Sequence, residues 1–106
     1  MDKNREYILC AANYYNDKIV HVHSPFNISE GFVICGLRHH NCISTFALMR
    51  GFPYDSETLL LLQTQVQGFL TNQNRFVDRI EAARIAIVAE QIEDVFKKKL
   101  YSEDLY

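Results

Sequence analysis

Apolar and polar positions change their spacing along the chain, and each change marks an element. Tyr7 to Tyr15 is rich in strand-favouring residues, Asn16-Asp17 is a turn dipeptide, and Lys18 to His23 alternates with a period of two. The alternation puts Ile19, His21 and His23 on one face and predicts an N-terminal hairpin. Ser24-Pro25-Phe26-Asn27 breaks the pattern, and a loop runs to Gly31 as a candidate lid before a further strand over Phe32 to Cys35. Ile43, Phe46, Ala47 and Arg50 follow three-and-four spacing, so Cys42 to Arg50 reads as a short helix stopped by Gly51 and Pro53. Asp55 and Ser56 can cap a second helix that carries Leu59 to Leu62 and ends near Gln65 or Gln67.

Gln67 to Leu70 reads as a strand, Thr71 to Asn74 as its turn and Arg75 to Val77 as the returning strand, which makes a second hairpin. Asp78 and Glu81, three residues apart, form a helix-start signature, and that helix is predicted to reach about Gln91. Ile80, Ala83, Ile87 and Glu90 trace one side of it, while Ala82, Ala86 and Ala89 allow close approach of another backbone. The tail from Ile92 to Tyr106 is charged, contains Lys97-Lys98-Lys99, and could dock on a neighbour. No repeat or linker interrupts this order. The expectation is one α+β domain over residues 1–106, with a mainly antiparallel sheet of two hairpins and a central strand packed with two or three helices.

Composition narrows the function. The 106 residues carry 11 Lys and Arg against 13 Asp and Glu, a formal net charge of -2, which argues against sequence-independent duplex binding. The longest apolar run, Leu59 to Leu62, is far shorter than the roughly 20 residues of a membrane span, and no leader-like segment opens the chain. Cys10, Cys35 and Cys42 form no Cys-x-x-Cys and suit a reducing compartment, so a cytoplasmic location is expected.

His21, His23, His39, His40 and Cys42 would suit zinc, but their spacing is that of no zinc finger, and exposed strand and turn positions account for them. Cys42 near His39 and His40 is the one candidate nucleophile, against the simpler reading of a buried thiol. Arg38 follows a strand end, and Arg75 and Arg79 flank Phe76 beside a helix start, where guanidinium forks and helix amides can hold phosphate. Thr71, Asn72 and Asn74 can read hydroxyls or a base edge, and Phe69 and Phe76 can stack a base. The same residues read equally as hairpin, turn and core positions.

Gly36 to Cys42, Gln67 to Thr71, Asn74 to Arg79, Glu81-Ala82-Ala83, Ala86, Ala89, Gln91 and Leu100 to Tyr106 together resemble the Thoeris anti-defence family of phage signal-sequestering proteins. The likeness runs from Val33 to the end and departs at Glu90, where a glycine precedes the glutamine in the family. The resemblance implies a non-catalytic homo-oligomer, dimer or hexamer, in the cytoplasm of the infected bacterium. It would bind a cyclic ADP-ribose isomer, and in some members cyclic di- or trinucleotides at a separate site, with no cofactor, no metal, no membrane and no duplex nucleic acid as partner. It assigns Arg38 and Arg75 to a pyrophosphate, with His39 beside Arg38, Asn74 to a ribose or base edge, and Phe76 or Phe69 to stacking. Arg79 would be a supporting charge, and Thr71 and Asn72 would complete the turn. Two rivals remain: direct inhibition of a host enzyme through the Phe96 to Tyr106 tail, and a small nucleotide-processing enzyme.

Overall fold

A computed structural model describes residues 5–106. The elements are β1 (Ile8–Tyr15), β2 (Phe32–Gly36), α1 (His39–Arg50), α2 (Ser56–Leu62), β3 (Val66–Thr71), β4 (Phe76–Asp78) and α3 (Arg79–Val88), with a 3-10 turn at Ser102–Asp104. The strands form one antiparallel sheet in the order β2-β1-β3-β4, so the α+β fold is the one expected. Ala11 stands opposite Gly36 on one side and Phe69 on the other, and Phe69 in turn faces Val77. This register turns Ala11, Asn13, Tyr15, Ile34, Phe69 and Val77 to one face. There they meet Cys42 and Phe46 of α1, Leu61 of α2, Ala82, Ala83 and Ala86 of α3, and Leu100 from the tail.

Phe46 stacks on Tyr15 with ring centroids 4.4 Å apart, and the alanines of α3 let its backbone lie close to β3 and β4. α3 stops at Val88 rather than Gln91. Glu90 adopts a left-handed φ of 61° and the Gln91 amide bonds back to Ala86 O at 2.8 Å, which reverses the chain. The reversal aims the Gln91 side chain at β1, where its amide accepts from Ile8 N–H at 2.8 Å and donates to Ile8 O at 2.9 Å beside the bulge at Ile8/Cys10. Of the side predicted from Ile80 to Glu90, Ala83 is buried, whereas Ile80 is 47% exposed.

The N-terminal hairpin is not formed as predicted. Lys18 and His23 have φ values of 66° and 67°, outside the strand region. Asn16 and Asp17 side chains accept from Lys18 and Ile19 N–H, and Asp17 also holds His21 at 2.7 Å. These local bonds coil the segment, and β2 takes the place beside β1 that Lys18 to His23 would have filled. The predicted lid lies along the free edge of β4. Asn27 donates to Phe76 O at 2.7 Å and accepts from Phe76 N–H at 2.9 Å, so one side chain satisfies the edge as a neighbouring strand would. The second hairpin is present, with Asn74 at φ 57° in its turn.

Candidate functional site

The second hairpin delivers Arg75 to the rim of α3. Glu81, Arg84, Ile85 and Val88 recur at three- and four-residue spacing and form the helix stripe turned away from the buried alanines. With Arg5, Glu6 and Arg75 they line a surface cleft of about 520 Å³. A second cleft of about 450 Å³ lies between Ile80, Arg84 and Lys97-Lys98-Lys99. Arg84 belongs to both walls. The two clefts together gather Arg5, Arg75, Arg84, Lys97, Lys98 and Lys99 against two carboxylates, Glu6 and Glu81. More than half of the chain's 11 Lys and Arg therefore face one surface of a protein whose net charge is -2.

The cations differ in their freedom. Arg75 grips Glu6 with Nε at 2.9 Å and its terminal nitrogen at 3.0 Å, and it reaches Glu81 at 3.0 Å. Glu6 also accepts from the Thr71 hydroxyl at 2.7 Å. The Arg75 hydrogen bond holds the Glu6 carboxyl below its ordinary range, and the two carboxylates keep Arg75 firmly cationic. Lys97 pairs with Asp104 at 3.0 Å. Among the described residues, the side chains of Arg5, Arg84, Lys98 and Lys99 have no ion pair, and all four residues are exposed. An anion entering the cleft meets these charges without first displacing a carboxylate.

The other residues singled out from the sequence separate into structural tasks. Arg38 does not line the Arg75 cleft. Its guanidinium donates to Tyr106 O at 3.1 Å and lies 5.7 Å from the centre of the Tyr106 ring. Arg79 donates to Leu100 O at 3.0 Å and to Gln67 Oε1 at 2.7 Å, and its guanidinium sits 4.7 Å over the Tyr101 ring. Both arginines thus hold the tail, which docks on its own domain. Phe69 is fully buried, so base stacking on its ring is replaced by core packing against His39, with centroids 5.1 Å apart. Phe76 lies against Tyr14, 5.9 Å away, over Gly68. Asn72 clamps the chain ahead of β1, accepting from Tyr7 N–H at 2.7 Å and donating to Arg5 O at 3.0 Å. Asn74 supplies the left-handed turn residue, and its carbonyl accepts from Phe26 N–H at 3.0 Å.

His39 is buried, with Nε2–H donating to Gly68 O at 2.8 Å and Nδ1 turned to Arg79 at 3.5 Å. Cys42 is buried with its thiol near Ala11 O and Arg38 O, and burial pushes it up to about 11. No three His, Cys, Asp or Glu side chains converge for a metal ion among the described residues. Of the predicted site, only Arg75 lines the cationic clefts, with Thr71 bracing its partner Glu6. The residues missed are Arg5, Arg84, Lys98 and Lys99. The helix stripe through Arg84 is visible in the sequence, but only the fold brings Arg5 and the lysines to it.

A family model described as phage T4 y16D protein matches residues 7–106. That description agrees with the phage origin implied by the sequence resemblance. No curated protein and no solved structure matches the chain.

Proposed function

The chain belongs to the phage T4 y16D protein family, and from that premise we propose that it is a phage accessory protein that captures a phosphate-bearing cyclic nucleotide signal at the α3 clefts and holds it without turnover. The observation that carries this reading is Arg84, an exposed guanidinium without an ion pair among the described residues that is shared by two clefts whose walls concentrate six cations. Two clefts meeting at one guanidinium suit a ligand with more than one phosphate, such as a cyclic ADP-ribose isomer or a cyclic di- or trinucleotide. Ile80, Ile85 and Val88 offer apolar surface to the sugar or base between them. A protein that competes with an effector for a scarce signal needs tight binding, and a Kd of 1 nM corresponds to about 12 kcal/mol. Charge-assisted hydrogen bonds of about 1.5–3 kcal/mol each supply a large part of that.

Binding without turnover is supported by what the candidate catalytic groups already do. His39 and Cys42 are buried in hydrogen bonds to backbone carbonyls. Exposed Leu48, Met49, Phe52 and Leu60 around the connection of α1 to α2 support self-association. Inhibition of a host enzyme is the second reading, favoured by Phe96 at 86% exposure and its neighbour Val95 at 61%.

The test is to incubate the purified protein with cyclic ADP-ribose isomers and cyclic oligonucleotides, wash, heat-denature it and identify the released molecules by mass spectrometry. Intact nucleotide in near-stoichiometric amount is expected. Arg84→Ala should weaken capture by about 10- to 100-fold, the equivalent of one charge-assisted bond, and Lys18→Gln, at a position that lines neither cleft, should leave it unchanged. Altered nucleotide would make the protein an enzyme, and recovery of none would put the host-enzyme inhibitor first.

A further inference from the structure

The larger of the two α3 clefts is not uniformly cationic. Arg5 and Arg84 are exposed cations in its wall, whereas Glu6 and Glu81 stand there beside Arg75. The two carboxylates are not equivalent. Both oxygens of Glu6 are engaged, Oε1 by Arg75 at 3.0 Å and Oε2 by Arg75 at 2.9 Å and the Thr71 hydroxyl at 2.7 Å. Glu81 is held by one bond, from Arg75 to Oε1 at 3.0 Å, and among the described residues its Oε2 has no hydrogen-bond partner. The Glu81 side chain is 44% exposed, against 18% for Glu6. Arg75 therefore fixes one oxygen of Glu81 and leaves the second, with the remaining lone pair of the first, available to a ligand. Ile85 and Val88 follow on the same stripe of α3 and supply an apolar wall beside it.

A carboxylate repels phosphate, so this end of the cleft fits the part of a ligand that carries hydrogen-bond donors. An ionised carboxylate only accepts, and its two oxygens match two N–H groups that stand side by side. Among the common nucleobases, guanine alone presents such a pair on its Watson–Crick edge, N1–H and the exocyclic N2–H. Adenine and cytosine place an acceptor nitrogen next to their amine, and uracil sets its single N–H between two carbonyls, so each of them aims a lone pair at the carboxylate. We propose that Glu81 reads the base in this cleft and that the ligand is a guanine-bearing cyclic oligonucleotide, an inference that rests on nucleotide capture at the α3 clefts. The guanine edge bonds to the two Glu81 oxygens and its ring lies against Ile85 and Val88. The phosphates go to Arg84 and, in the adjoining cleft, to Lys98 and Lys99. A wrong base would cover the carboxylate without satisfying it, which costs more than the missing bond alone. Arg75, itself clamped by Glu6, orients Glu81 before the ligand arrives, so little side-chain ordering is left to oppose binding.

Equilibrium dialysis of the full-length protein against cyclic di-GMP, cyclic di-IMP, cyclic di-AMP and a cyclic ADP-ribose isomer tests the assignment on the wild type alone. Hypoxanthine keeps N1–H and lacks the exocyclic amine, so cyclic di-IMP reports one bond of the two. Cyclic di-GMP should bind tightest, with cyclic di-IMP weaker by about 10-fold and cyclic di-AMP by about 100-fold, as the loss of one and then two charge-assisted bonds requires. Glu81→Gln turns one acceptor into a donor, the pattern with which a carboxamide pairs with adenine. It should reverse the order of cyclic di-GMP and cyclic di-AMP, a result that mere damage to the cleft cannot produce. Equal wild-type affinity for the three dinucleotides, or equal weakening of all three by Glu81→Gln, would overturn the role of Glu81 and leave nucleotide capture standing. Binding of the cyclic ADP-ribose isomer alone would do the same. Binding of none of the four would remove this inference and the capture it rests on together.

Discussion

His39 is neutral because of where its ring is placed. Burial is the largest influence lowering its proton affinity, and the nearby Arg79 charge adds to it, against the opposing pull of the Gly68 carbonyl. The bonding pattern assigns the proton to Nε2, which donates to Gly68 O, and leaves the Nδ1 lone pair toward Arg79. A folded-state value below the unfolded one means that the unfolded chain takes up the proton first as pH falls. The contribution of His39 to stability is therefore complete above about pH 6.5 and is lost as pH drops through the folded value. Urea midpoints measured from pH 8 to pH 5 should fall at the acid end in the wild type, and the fall should be smaller in His39→Gln. Glu6 acts in the same direction at lower pH, since its carboxyl is held down by Arg75. The conserved chemistry of an imidazole says nothing in a sequence about either partner. His39 next to Arg38 reads as a binding pair, yet the two side chains engage Gly68 and Tyr106.

At the scale of an element, α3 shows what short-range signals convey. Asp78 accepts from Glu81 N–H at 2.8 Å, the cap that the Asp and Glu spacing predicts. Its other end comes at Val88, ahead of the predicted Gln91, because Glu90 in the left-handed region ends the helix where no glycine announces it. The two ends make opposite predictions. Asp78→Ala should cost about 1 kcal/mol by loss of the cap, and Glu90→Gly should gain about 1 kcal/mol by relieving a conformation that L residues adopt at a cost. Denaturant titration of the two variants beside the wild type tests both signs. The β3–β4 hairpin was legible for the same local reason, since its turn and flanking apolar residues are contiguous. Lys18 to His23 shows the opposite case. Its alternation is genuine, but Asn16 and Asp17 capture the backbone first, and β2 pairs with β1 across the Asn16–Gly31 connection.

The whole molecule depends on its last residues. Leu100 is fully buried in the core, its amide bonds to Arg79 O at 2.9 Å, and Arg79 returns a bond to Leu100 O at 3.0 Å. Lys97 with Asp104 and Arg38 with Tyr106 secure the segment on either side. Leu100→Ala should lower stability by about 2–5 kcal/mol, the cost of emptying a packed leucine site, as read from the urea midpoint. The same docking brings Lys98 and Lys99 up to Arg84, so the second of the two clefts exists only when the tail is in place. A tail variant should therefore lose ligand capture and stability together, whereas Arg84→Ala should lose capture alone.

The sequence by itself determined the α+β class, three helices near their observed positions, the second hairpin and the Asp78 cap, because each is set by residues within one turn or one strand of each other. Tertiary structure alone decided which strand pairs with β1, that the tail folds back, and which arginines are free. A guanidinium is available to a ligand only if no carboxylate reaches it, and for Arg75 the partner Glu6 lies 69 residues away. Arg84 is the reverse, an ordinary helix-surface arginine until Arg5 and the lysines are folded against it, because charge accumulates through space and not along the chain.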